Sequence, residues 1–162
     1  MAELVFVKTP NGTLISADTQ TQEAIRKLKI GKALKGEFKQ MRDINNHRRM
    51  FALFNFAFDL WDAPELEHKG EPVQKNFDRF RKDMTILAGF YETVVNFKNE
   101  VRVEAKSLSF GSMKEEEFQR VYKGILDVIW TRILKSKGYE TPEKVAELVR
   151  RTWLIPDRKS VV

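Results

Sequence analysis

The chain is expected to be a single-domain α+β protein built on one buried central helix. An N-terminal β-hairpin should precede that helix, and a second β-hairpin and C-terminal helices should follow it. Three observations lead there. The stretch Arg42 to Trp61, RDINNHRRMFALFNFAFDLW, is apolar over most of a helical circumference in its last two-thirds. Turn residues at Pro10-Asn11-Gly12 and Lys98-Asn99-Glu100 separate short runs with alternating apolar residues, the pattern of hairpins. After Pro72, apolar residues recur at helical spacing behind helix-start signals.

Taken in order, Glu3 to Lys8 alternates around Val5 and Val7 and reads as a strand, with Thr13 to Ser16 returning after the turn. Asp18 or Thr19 is placed to cap a helix through Ile30, with Ile25 and Leu28 on its apolar side and Gly31 stopping it. Ala33 to Met41 reads as a strand with Leu34 and Phe38 as its bulky apolar members, weakened by Gly36. Asp43 is the expected N-cap of the central helix. Along that helix His47, Phe51, Phe54, Phe58 and Trp61 make one stripe, and Met50, Leu53, Ala57 and Leu60 a neighbouring one. Arg48, Ala52, Asn55 and Asp59 form the narrow side that tolerates water. Such a helix must be packed on several sides.

Asp62 to Glu71 reads as a polar loop, and Pro72 as the start of a helix running to about Ala88. Phe77, Phe80, Met84 and Leu87 face inward there, and Lys75, Arg79, Arg81 and Lys82 outward. In the second hairpin, a three-residue turn at 98–100 puts Phe97 opposite Val101 and Val95 opposite Val103. A two-residue turn would mix the faces. Ser112 with Glu115 forms a capping-box pattern for a helix reaching about Lys135. Thr141-Pro142-Glu143 starts a last helix that Pro156 ends. The domain is expected to span 1–155, with 156–162 as a short tail.

A chain of 162 residues, 42% hydrophobic and 32% charged, suits one globular domain. It has no cysteine, which excludes disulfides, thiolate metal sites and a cysteine nucleophile. That composition suits a reducing compartment, and a cytoplasmic location in a host cell is expected. Its start has no basic segment followed by an apolar one, so no signal peptide is expected. No apolar run is long enough to span a bilayer.

Net charge is +6, and its placement is more informative than its size. From Arg26 to Arg49 there are nine Lys and Arg against Glu37 and Asp43, a net of +7 in 24 residues. The rest of the chain is left with −1. A local concentration of this kind is what a phosphate-binding surface requires, although a solvated face would look the same. The candidate nucleic-acid contacts are Lys29, Lys32, Lys35, Lys39, Arg42, His47, Arg48 and Arg49. The backbone N–H groups after Asp43 would add to an anion site. Phe38 and Tyr91 are candidate stacking aromatics, though both residue types are more often core.

Signatures of nucleotide, serine-hydrolase and zinc-protease chemistry are absent, and no helix-turn-helix or zinc-finger pattern is present. Neither histidine has a partner at a catalytic spacing. Glu115, Glu116 and Glu117 sit where a helix dipole favours acids, and Asp78 and Asp83 sit at ion-pair spacing from Arg and Lys. No catalytic residue, metal site or cofactor is therefore expected.

NGTLISA followed by MRDINNHRRMFALFNFAFDLW resembles a group of phage and prophage proteins of unassigned function. They share a G-T-L-[IV] strand and a stretch like R-N-x-x-x-H-[KR]-[KR]-F-F-A-L-[LF]-N with a Trp soon after. The match covers the first 61 residues and is densest over His47–Asn55; Asp43 stands where Asn is usual, Met50 where Phe is usual, and no Pro follows Ile15. More distantly, Asn46 to Trp61 and the Ser109–Phe118 helix start are similar to the NinB (Orf) proteins of lambdoid phages, which act in recombination. That resemblance implies an α+β fold, a homodimer and single-stranded DNA binding in support of a recombinase, with Arg48 and Arg49 as DNA contacts.

Three functional readings follow. The favoured one is a phage-type accessory protein that binds single-stranded DNA or DNA ends without sequence preference. A second is a phage protein that docks on a host protein or nucleoprotein complex, as a defence inhibitor would. A third is a metal-dependent nuclease with dispersed carboxylates.

Overall fold

The computed structural model describes residues 3–154, and side chains up to residue 152. The protein is mixed α and β, with helices and small two-stranded antiparallel sheets. The described residues fall into two units, 3–40 and 41–154. The end expected for the last helix before Pro156, and the expected tail 156–162, lie outside the described residues.

In the first unit, β1 (Phe6–Lys8) pairs antiparallel with β2 (Leu14–Ser16). The turn closes with the Thr9 N–H on the Thr13 carbonyl, and Gly12 has φ +87°, a conformation that glycine adopts without penalty. Helix α1 (Thr19–Arg26) is capped by Asp18, whose carboxylate accepts from the Thr21 N–H at 2.7 Å. Thr21 is buried, and its hydroxyl accepts from the Val5 N–H at 2.9 Å, tying helix to hairpin. The helix ends at Arg26, four residues before the expected Ile30, and Ile25 and Leu28 are exposed.

The strand expected over Ala33 to Met41 does not form. Residues 32–41 are irregular, and 31–40 are exposed throughout. Leu34 and Phe38 lie four residues apart with charged residues between them. That spacing gives no period-two apolar face, and among the described residues no strand pairs with this stretch to take its backbone groups. Phe38 makes an edge contact with Phe6, with ring centroids 6.3 Å apart, and is otherwise 75% exposed.

The second unit is organised by α2 (Ile44–Leu60). Asp43 caps it as expected, its carboxylate accepting from the Asn45 N–H at 2.8 Å. Met50, Phe51, Leu53, Phe54 and Ala57 are buried, while Asn55 and Asp59 face water. Phe51 and Phe54 meet Phe110 edge-on and tilted, each at 6.3 Å between centroids. At the far end, the Lys75 ammonium donates to the Phe58 and Trp61 carbonyls at 2.9 and 3.0 Å. A cation is favoured at that end by the helix dipole.

The loop after α2 holds a small hairpin that the sequence reading misses, β3 (Glu67–His68) against β4 (Glu71–Pro72). Lys69 and Gly70 both have positive φ, as a type I′ turn demands. Pro72 therefore lies in a strand and does not start a helix. Helix α3 (Phe77–Leu87) begins five residues later, where the Asn76 side chain accepts from the Arg79 N–H at 2.8 Å.

Next come β5 (Tyr91–Val95) and β6 (Val101–Ala105), paired so that Val95 faces Val101 and Thr93 faces Val103. This register differs by two residues from the expected one, so the faces are preserved. The cause is Asn96, whose side-chain oxygen accepts from the Lys98 and Glu100 N–H groups and closes the loop one pair earlier. Phe97 is left at the tip, with Asn99 at φ +61° behind it.

A 3-10 turn (Phe110–Ser112) leads into α4 (Glu115–Ile129). The capping box is not made: Met113 and Lys114 are extended, and the Ser112 hydroxyl pairs with that of Ser109. Phe118, Val121, Tyr122, Ile125 and Ile129 are buried as expected, whereas Val128 is only partly so. The helical run continues through a π turn (Trp130–Leu134) and a 3-10 turn to Gly138 at φ +87°. Helix α5 (Pro142–Leu154) then packs on α2 and α4, with Val145 and Val149 buried.

Candidate nucleic-acid interface

The eight candidate residues meet different fates. Lys29, Lys32, Lys35 and Lys39 are exposed on the irregular stretch of the first unit. Their ammonium groups make no ion pair with any described residue. Arg42 is exposed just before α2, and Arg48 is half-exposed on its first turns, both likewise without an ion pair among the described residues. Several cations elsewhere are neutralised locally. Arg79 pairs with Asp83, Arg81 and Lys82 share Asp78, and Arg150 and Arg151 share Glu147. The outward face of α3 is therefore far less cationic than its sequence suggests.

His47 is a correction. It is 2% exposed and its ring stacks on Phe51 at 4.3 Å between centroids. A nucleic acid on the surface cannot reach it without local opening. The expected anion site at the start of α2 is also altered, because the Asp43 carboxylate already occupies that helix end.

Arg49 is built into the fold. Its guanidinium lies over the Tyr122 ring at 4.2 Å and near Phe118 at 5.8 Å. Burial pushes the Tyr122 phenol above its usual range, and the Arg49 charge opposes that rise. Beside them, the Asn46 amide donates to Glu115 at 3.2 Å, and Gln119 donates to the same carboxylate. Those two hydrogen bonds, with the Arg49 charge behind them, hold the Glu115 carboxyl below its usual range. A groove of about 500 Å³ runs past Arg49, Tyr122, Lys123, Glu143 and Arg150, with both signs of charge on its walls. Arg49→Ala should therefore cost about 1–2 kcal/mol of stability through the lost stacking on a desolvated ring. Urea unfolding of the variant beside wild type measures this.

Sequence reasoning missed this cluster, because Asn46 and Glu115 are 69 residues apart. The short-range signal at Glu115 pointed instead to a cap with Ser112. Among the described residues no three of His, Asp, Glu and Cys lie together in a way that would hold a metal ion. No described helix is long and apolar enough to cross a membrane.

A family model described as "Protein of unknown function (DUF1367)" matches residues 1–69 and 63–152. The chain belongs to the DUF1367 family. The two matched stretches span both units of this DUF1367 member, hairpin and basic stretch as well as the helical unit. No curated protein and no solved structure matches it. In this DUF1367 member Lys29, Lys32, Lys35, Lys39 and Arg42 are exposed and Arg48 is half-exposed, none of them in an ion pair with a described residue.

Proposed function

We propose that this DUF1367 chain is a phage-type accessory protein that binds single-stranded DNA without sequence preference, in recombination or replication. One observation carries the reading: the irregular stretch 29–42 presents five exposed cations spaced three to four residues apart, none in an ion pair with a described residue. Fixed partners would have spent that charge; here it is left for an external polyanion. An irregular backbone suits a flexible single strand, since nothing in it forms a rigid helix for a duplex groove. Phe38, 75% exposed among these lysines, adds a ring on which a base can stack. The likeness to NinB proteins supports the same class.

Binding of this kind is dominated by counterion release. With five phosphate contacts on a single strand, affinity should fall about 100-fold between about 50 and 200 mM salt. Fluorescence anisotropy of a labelled oligothymidine, with its duplex as competitor, measures both the slope and the strand preference. No binding at the lower salt would remove the proposal. Binding of a host protein in its place would favour the docking reading.

A further inference from the structure

The groove beside Arg49 lies within the helical unit, walled by residues of α2, α4 and the start of α5. Among the described residues three buried side-chain nitrogen or oxygen atoms have no hydrogen-bond partner. Two of them, Arg49 Nε and Tyr122 Oη, belong to residues that line this groove. Both carry a hydrogen to donate. Tyr122 is 3% exposed, and its burial keeps the phenol protonated, and so a donor, at neutral pH. Buried donors in folded proteins are nearly always satisfied, because leaving one open is costly. Two open donors in one contact call for an acceptor that the chain does not supply. Glu115, the acid that feels the Arg49 charge, already accepts from Asn46 and Gln119.

We propose that this groove binds a small aliphatic carboxylate, with Arg49 and Tyr122 donating to its oxygens. Charge decides the class. Arg49 and Lys123 make no ion pair with a described residue, whereas Arg150 is taken by Glu147. A guanidinium's planar fork matches a carboxylate. Asp127 and Glu143 on the same walls oppose a second negative charge, which tells against inorganic phosphate and against a nucleic-acid backbone. Leu126, Pro142 and Ala146 give a short alkyl body an apolar wall.

Entry follows from how Arg49 is held. Its side chain is half-exposed, and its guanidinium rests on the Tyr122 ring without an ion pair to a described residue. A turn of its outer torsions aims Nε at an incoming oxygen and uncovers the phenol. The carboxylate then replaces a ring contact with charge-assisted hydrogen bonds, which are stronger.

Nuclear magnetic resonance of the isotope-labelled full chain, titrated with sodium isobutyrate at constant ionic strength, tests this. The Arg49 Nε–H signal, set by the Tyr122 ring beneath it, should move and saturate with a dissociation constant on the order of 1–10 mM, reasonable for so small a ligand. Isobutyramide, of the same shape but uncharged, should leave it in place. A buried water alone would satisfy both donors and give no such charge dependence. Tyr122→Phe should weaken isobutyrate about 10-fold or more, and its melting midpoint should not fall, since the hydroxyl has no partner to lose. Lys123→Gln, at an exposed position, should weaken it about 2- to 5-fold. N-acetyl-Ala-Ala-Val with a free C-terminus should compete with isobutyrate. Tighter binding of the peptide assigns the carboxylate to a chain end, and weaker binding to a free acid. A signal that does not saturate, that isobutyramide or inorganic phosphate moves equally, or that responds unchanged in Tyr122→Phe overturns the proposal. None of these readouts depends on DNA binding.

Discussion

Phe54→Ala is expected to remove about 3–5 kcal/mol of stability, enough to lower the melting midpoint by about 6–20 °C. Phe54 is completely buried in the middle of α2, between Phe51 and Phe110. A cavity there is enclosed by α2 itself, by the 3-10 turn before α4 and by the helices behind it, so little can move in to fill it. Phe58 is a useful control from the same helix. Its ring meets Phe77 and Phe80 at 5.5 and 5.4 Å, but it is only partly buried. Phe58→Ala should cost about half as much by area. The sequence pattern assigns the two phenylalanines to one stripe and gives them equal weight; burial separates them. Thermal and urea unfolding of both variants would show whether the core is centred on Phe54, and equal losses would contradict that.

The second large effect is on binding. Replacing Lys29, Lys32, Lys35 and Lys39 together with Ala should flatten the slope of log affinity against log salt by about 3 on single-stranded DNA. It should weaken binding at about 50 mM salt by at least 100-fold. These lysines are exposed on an irregular stretch, so each substitution should change stability by only about 0.5 kcal/mol or less. That separation makes the experiment decisive, because loss of binding cannot be assigned to unfolding. Arg49→Ala is the converse. It should lose stability through its contact with Tyr122 and leave the salt slope almost unchanged. If the Arg49 variant loses the slope and the lysine variant keeps it, the interface lies at the helix start and not on the lysine stretch.

Much of the second unit was legible from local pattern. The 3.6-residue stripe of α2, the Asp43 cap and the apolar side of α4 all express a preference that a segment carries by itself. Parity in the β5–β6 hairpin was legible too, since a one-residue slip would have mixed valines with charges. Its exact closure was not, because Asn96 competes for the turn through a side-chain bond that period-two alternation does not register. The strand expected at 33–41 failed for a different reason: a strand is a paired object, and none of the described strands pairs with that stretch. Ser112 is a capable cap, but the two residues after it are extended, which carries it away from the helix.

The candidate interface divides in the same way. That the cations cluster between Arg26 and Arg49 is a property of the sequence alone. Which of them remain available is a property of the fold. His47 and Arg49 are neighbours of Arg48 on one helix, yet His47 stacks in the core, Arg49 lies on a ring 73 positions away, and Arg48 stays half in water. Spacing along a helix determines the direction in which a side chain leaves it. What waits in that direction is decided by segments far away in the chain, through burial and ring contacts that local sequence does not encode.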